Sequence, residues 1–442
     1  MAKVIPFRGI LYNHHKISNL RDVTTPPYDV ISDQQQNDFY KQHPQNIIRL
    51  ILGKTTENDT IENNSHTRAA DFFNKWLSEN VMEQDLSPAF YLTSVDFSVE
   101  TKKVTRYGLI ALVGVETYEK GIVLPHERTF SKVKSERLDL MKSTHANFSQ
   151  IFALYPDTGD ILNTLKTAVS AKDPDIDFAD YKRERHKLWR ITDIDIHSYV
   201  SKVMKEKKVF IADGHHRYET AINYRNWIAK NNLDFNNDHP ANYVMMYLCS
   251  MQDPGLVILP AHRMLKEIQD STLSTFIQKA SEYFNVTTIS FKEEGREKKQ
   301  AEFLAILKDN KSKNIIGVYM KDRSEFYILT LRTGVMDRLF GNELSESLKN
   351  LDVTVLTRLV FMEILDFDQS RLDNEELIGY TSCEKDAIES VVTGKYDMSF
   401  ILNPTKINQV RTIAQEGKTM PRKSTYFYPK VITGLVLNRL TL

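Results

Sequence analysis

The sequence predicts a mixed α/β (α+β), multidomain chain, and three observations carry that prediction. Helix-periodic and strand-like segments alternate almost from end to end, which suits neither an all-α nor an all-β chain. The 442 residues suggest about three domains, or two large ones, at roughly 150 residues each. Hydrophobic residues at 41% and charged residues at 26% describe an ordinary globular chain that buries a core without staples.

The elements follow in order. NIIRLIL (Asn46–Leu52) reads as a buried strand. A polar stretch then leads to an amphipathic helix over Thr67–Met82, with Ala69, Ala70, Phe73, Trp76 and Leu77 on one side. Phe90–Val99 and Val104–Val115 read as a hairpin joined by the polar tip Glu100–Lys103. Ser135–Gln150 is helical. Lys208–Ala212 is a short strand, followed by a helix through ETAINYRNWIAK. Beyond it, helices Ser271–Tyr283 and Glu294–Lys308 alternate with strands Asn285–Ile289, Ile315–Met320 and Glu325–Leu331. The chain closes with helix Val353–Leu365, strand Leu377–Tyr380, helix Glu384–Val392, strand Met398–Leu402 and helix Lys406–Gln415. The expected division is an N-terminal α/β region over 1–120, a central region over 121–263 and a C-terminal α/β region over 264–442.

Charge excludes some functions. Lys and Arg number 58 and Asp and Glu 58, so no basic excess exists to neutralise a nucleic-acid backbone. Cys249 and Cys383 are too few for a disulfide framework and suggest a reducing compartment. The longest apolar run, Leu109–Val115, is far short of the ~20 residues a membrane span needs. No signal-peptide stretch opens the chain. The expectation is a cytoplasmic protein with neither nucleic-acid nor membrane partners.

Three segments look chemical. In VFIADGHHRYETA (Val209–Ala221) a strand ends at Ala212, Asp213 and Gly214 turn, and a helix starts with His215, His216 and Arg217. Free N–H groups and the positive end of the helix dipole make this an oxyanion site. Arg217 and the imidazoles add donors, Gly214 allows close approach, and Asp213 is a candidate Mg²⁺ ligand, proton acceptor or helix cap. In GIVLPHERTF (Gly121–Phe130), His126 and Glu127 place a carboxylate beside an imidazole, a general-base arrangement towards a hydroxyl. HERTF lacks the second His of a zinc-protease helix. Downstream, Lys132, Lys134, Arg137 and Lys142 read mostly as a solvated helix face. GKTMPRKSTYFYPK (Gly417–Lys430) interleaves Lys418, Arg422, Lys423 and Lys430 with the hydroxyls of Thr419, Ser424 and Thr425. Thr412 stands where a P-loop requires glycine, so GKT is not a Walker motif. His262 and Arg263, in LPAHR, end a strand, and Tyr28 and Asp29, in PPYDVI, sit in an ordered turn.

Taken in order, PPYDVI, NIIRLILGK, LPHERTF, SERLDLM, NFSQIF, ADGHHRYETA, ILPAHR, LDVTVL and MPRKSTYFYPK resemble the domain-of-unknown-function 1015 family, from Ile5 to about Leu437. That family is distantly similar to the ParB/sulfiredoxin-like superfamily and, within it, to free serine kinase. The resemblance implies a ParB/sulfiredoxin-like phosphate-binding core in which Asp213, Gly214, His215, His216 and Arg217 form the phosphate turn, with 121–263 as a catalytic region carrying an insertion and 264–442 completing the site. It also implies that Glu127 deprotonates a seryl hydroxyl. The expected activity is phosphoryl transfer or hydrolysis on serine or phosphoserine, with ADP or ATP and Mg²⁺ as candidate cofactors. His126, His262, Arg263, Lys423, Ser424 and Thr425 are candidate phosphate or substrate contacts, and His215 or His216 a donor or transient phosphate carrier. Two rivals stand beside it: a ParB-like nucleotide-binding regulator, and a metal-dependent hydrolase using Asp213, His215, His216 and His126.

Overall fold

The computed structural model describes residues 1–127 and 131–441, with residues 131–134 as backbone. The chain forms two compact units, Met1–Val257 with Pro429–Leu442, and Ile258–Tyr428. The boundary expected at 120/121 therefore falls inside the first unit, and the C-terminal segment returns to that unit instead of ending the second. The cause is strand pairing: Lys102–Gly114 lies beside Tyr243–Ser250, residue against residue from Gly114↔Tyr243 to Leu109↔Leu248.

The first unit is built on a sheet that, among the described residues, has nine strands. At one edge Val123–Leu124 runs parallel to Val209–Asp213, which is antiparallel to Ile151–Tyr155. Ile151–Tyr155 runs parallel to Tyr243–Ser250. Antiparallel pairing then continues through Lys102–Gly114, Phe90–Val99, Arg185–Ile191 and Ile176–Ala179. The expected hairpin is present, with Glu100 at a φ of 52° in its tip. Tyr243–Ser250 is buried at every residue, which is why its sequence is apolar without alternation. Leu165, Met204, Tyr224 and Ile228, from three helices, pack with these strands in one core.

Asn46–Leu52 is not a strand. It holds one helical turn, Ile48–Ile51, whose start is fixed by Asn46: its side chain accepts from the Ile48 N–H at 2.9 Å and donates to the Asp22 carbonyl at 2.8 Å. Ile47, Ile48, Leu50 and Ile51 are all buried, so the run is apolar on every side and carries no period.

The second unit is an antiparallel sheet of six strands among the described residues, in the spatial order Phe284–Ser290, Glu325–Leu331, Ile315–Met320, Met398–Leu402, His262–Leu265, Ile378–Thr381. Alternate residues face opposite cores. Ile316, Val318 and Met320 join Phe361 and Val410, while Ile315 and Tyr319 join Phe303 and Ile388. The expected long helix Val353–Leu365 begins as Asp352–Thr354 and continues as a wider i→i+5 helix over Val355–Ile364, with the Leu365 N–H bonded to the Val360 carbonyl at 3.0 Å. No helix among the described residues is long and apolar enough to cross a membrane.

Candidate functional site

Strand Val209–Asp213 is buried until its last residue, and its register against Ile151–Tyr155 shifts between Ile211 and Asp213. Such a bulge re-aims the strand end. Gly214 follows at φ 94°, ψ 31° and starts helix His215–Asn231. Glycine is required twice over: this left-handed backbone disfavours a side chain, and a Cβ would come within 2.9 Å of the Arg217 guanidinium.

Asp213 is an ion-pair hub. Its Oδ2 accepts from Arg217 Nη2 at 2.8 Å and its Oδ1 from the Lys430 ammonium. Burial pushes its pKa up, but Lys430 and Arg217 outweigh burial and hold the carboxyl well below the usual range. It therefore stays ionised and accepts no proton near neutrality. Nor does its side chain cap the helix. With both oxygens bonded to cations, Asp213 does not fit Mg²⁺, whose approach would add charge beside two existing positive groups. Arg217 also donates to the Gln150 carbonyl, so its guanidinium is held from both sides.

The HE segment meets this turn. The His126 N–H donates to His215 Nε2 at 3.2 Å, and the two rings lie 4.7 Å apart, edge to face. His126 Nδ1 is 2.7 Å from the Ile211 carbonyl, which only accepts, so Nδ1 carries the proton. Burial pushes the His126 pKa down to about 4 and, with His126 beside it, that of His215 well below its ordinary value. Both rings are neutral at physiological pH. His215 is not a surface residue: it is 5% exposed, and an N–H occupies its Nε2 lone pair, so that nitrogen is no phosphate carrier. Half-buried His216 accepts from Thr220 Oγ1 at its carbonyl. Half-buried Glu127 is one residue from His126, and Arg128–Phe130 of the same motif lie outside the described residues.

In front of Arg217 opens a cleft of about 520 Å³ lined by Arg217, Arg137, Tyr28, Ile51, Asn147 and Ser149, among others. Arg137 corrects the expectation of a solvated helix face. It is 7% exposed, donates to the Ile51 carbonyl at 2.6 Å and to Glu136, and lies 4.3 Å from the Tyr28 ring. Glu136 is held down to about 2: burial raises its pKa, and His66 and Arg137 lower it further than burial raises it. Burial pushes the Tyr28 hydroxyl up to about 12. The side chains of Lys132 and Lys134 lie outside those described. The sequence alone leaves Arg137 on a solvated helix face and Lys430 in a general basic segment. Their signal was the SERLDLM and YPK motifs themselves, not any spacing.

The remaining candidates belong to the second unit. His262 is fully buried, with Nδ1 accepting from the Leu402 N–H at 3.1 Å, and burial takes its pKa down to about 3. Arg263 donates to the carbonyls of Ala261, Arg422 and Lys423, which fixes the loop where Lys423 adopts a φ of 53°. Ser424 Oγ donates to the Pro421 carbonyl at 2.6 Å, and Thr425 is half-buried. Arg263 and Ser424 thus bond backbone carbonyls of the Pro421–Lys423 loop.

The group among the described residues whose donors gather closely enough for a metal is Asp180, Glu184 and His186, all buried, in the turn before strand Arg185–Ile191 and at that strand's second residue. Asp213, His215, His216 and His126 do not form such a group among the described residues.

A family model described as "Protein of unknown function (DUF1015)" matches residues 4–354. No curated protein matches. Among solved structures, a free serine kinase in complex with AMP is 12% identical, with 75% of this chain and 90% of that chain covered, at a TM-score of 0.33. A conserved hypothetical protein from Pyrococcus furiosus is 10% identical, covering 73% of this chain and 92% of that one, at a TM-score of 0.34. SbnI with a C-terminal truncation, from Staphylococcus aureus, is 8% identical, covering 73% and 85%, at a TM-score of 0.34.

Proposed function

We propose that this chain, which belongs to the DUF1015 family of proteins of unknown function, transfers or hydrolyses the phosphoryl group of phosphoserine, or runs that transfer in reverse. The observation that carries the reading is convergence. PPYDVI, NIIRLILGK, SERLDLM, NFSQIF and ADGHHRYETA, scattered over nearly 200 positions, each contribute a residue to the one cleft: Tyr28, Ile51, Arg137, Asn147 with Ser149, and Arg217.

The cleft's chemistry suits a phosphate ester. Two guanidiniums offer planar donor pairs for phosphate oxygens, and the first turn of helix His215–Asn231 adds N–H groups and its dipole. In this reading the turn is a phosphate-binding core of ParB/sulfiredoxin-like kind. Asp213 acts by positioning Arg217, and the neutral His126–His215 pair holds the HE segment against the turn. Glu127 handles the seryl proton: the bond between phosphorus and the seryl oxygen breaks, and the oxygen takes a proton from Glu127. A nucleoside diphosphate or water receives the phosphoryl group. In the opposite direction Glu127 removes that proton. His262, Arg263, Lys423, Ser424 and Thr425 are not assigned to this site.

The test is to incubate the full chain with phosphoserine alone, with ADP or AMP, and with each plus Mg²⁺, and to measure serine. Release in at least one condition, lost in Glu127→Gln, is expected. Nucleotide binding without serine release would favour a regulatory role instead.

A further inference from the structure

We infer a second oxyanion pocket in the first unit, built on the guanidinium of Arg106. This side chain is 1% exposed, one of the largest fully buried groups in the molecule. Nε donates to Tyr247 Oη at 3.1 Å and Nη1 to the Pro429 carbonyl at 2.8 Å. The rings of Phe152 and Tyr247 lie 4.8 and 5.3 Å from the guanidinium carbon. Among the described residues no carboxylate forms an ion pair with it, and Nη2 has no protein acceptor. Asp253 acts on Arg106 only through space, because its oxygens accept the N–H groups of Tyr107 at 3.2 Å and Gly255 at 2.6 Å.

A guanidinium does not shed its proton on burial, so the lost hydration must be replaced by acceptors or a counter-anion. Arg106 lines a cleft of about 310 Å³ together with Thr93, Ser94, His186 and Lys430, and no lining residue carries a carboxylate. Lys430 is bonded to Asp213, and His186 Nε2 lies 3.3 Å from Asp180 Oδ2, so the pocket's cationic side rests mainly on Arg106. The chain is shaped to hold that residue in place. A Cβ at Gly108 would come within 2.0 Å of the Tyr247 ring, so only glycine lets Tyr247 lie where its hydroxyl receives Arg106. The ligand class is a compact oxyanion whose paired oxygens match a planar donor fork, as inorganic phosphate or a small phosphate monoester does.

The pocket is separable from the cleft at Arg217. Inorganic phosphate, phosphoserine and acetate would be titrated calorimetrically into the full chain at constant ionic strength, with thermal melts alongside. Arg106→Lys keeps the charge and loses the fork, and Ser94→Ala removes a lining hydroxyl. Phosphate binding at least tenfold weaker in Arg106→Lys is expected, together with loss of the phosphate-dependent rise in Tm. Arg217→Lys should keep this binding event while weakening the one in the other cleft. Binding of phosphoserine but not phosphate, lost in Arg106→Lys, would identify the monoester as the source. Wild-type titration by Arg106→Lys, or no effect of either phosphate or phosphoserine on the wild-type protein, would overturn the inference. If Arg106→Lys does not fold, unchanged affinity in Ser94→Ala would do so.

Discussion

Two strand ends in this molecule carry the same residue types and use them differently. At the end of Val209–Asp213, Arg217 meets a carboxylate and faces a cleft. At the start of His262–Leu265, Arg263 meets backbone carbonyls and sits 2% exposed under the Arg422–Lys423 loop. The divergence begins in the backbone. Gly214 turns the first strand into a helix start, which leaves N–H groups pointing outward, whereas His262 and Arg263 lie within a strand paired on both sides. The same residue types therefore face a cleft in one place and bond their own loop in the other, according to the backbone that carries them.

The largest expected effect is on the ion-pair hub. Asp213→Asn leaves Arg217 and Lys430 buried without their shared anion, and removing one partner of a buried pair costs about 3–5 kcal/mol. Urea unfolding measures it; a loss under about 1 kcal/mol would mean the hub is solvated like a surface pair.

Acid should sharpen the likeness between the two regions. His126 and His262 are neutral in the fold, with pKa values down to about 4 and about 3 against an ordinary 6.5. The unfolded chain takes up these protons first, so stability is whole above pH 6.5 and falls as pH drops towards 4. For His126 the full loss is about 3 kcal/mol, at roughly 1.4 kcal/mol for each pH unit separating the folded and unfolded values. Unfolding free energies between pH 7 and 4.5 should slope this way, less steeply in His126→Gln; a flat profile would contradict buried neutral rings.

Arg263→Met should separate the two ends. It strands the carbonyls of Ala261, Arg422 and Lys423, at about 2–3 kcal/mol, while turnover per folded molecule stays unchanged. Reduced turnover at equal folded fraction would bring Arg263 into the chemistry. The smallest effect is expected from Gly214→Ala, about 1–2 kcal/mol from the positive φ alone, with a larger relative loss of activity because the methyl group displaces Arg217.

Much of the fold was legible. Ile315–Met320, Glu325–Leu331, Glu384–Val392 and Met398–Leu402 fall at the residues the periodicity predicts. The three strands are short apolar pieces bounded by polar residues, and the helix carries Ala387, Ile388 and Val391 at helical spacing. Ile151–Tyr155 went unpredicted because it is buried on both faces and shows no period, and Ile176–Ala179 because half of it is charged or exposed. In the site, the Asp213–Arg217 turn was readable because strand, glycine and helix start are contiguous. Arg137 was not, since a cation on a helix is solvated by default and only Tyr28 and Ile51, distant in sequence, bury it. Lys430 lies 217 positions from Asp213, a separation no local pattern encodes.

The central claim is that the cleft between Arg137 and Arg217 receives the phosphate of a phosphate ester. Calorimetric titration of phosphoserine into the wild-type chain and into Arg137→Lys and Arg217→Lys tests it most directly. Affinity at least tenfold weaker in each variant, with serine itself little affected, is the predicted result; equal affinity in all three would contradict it.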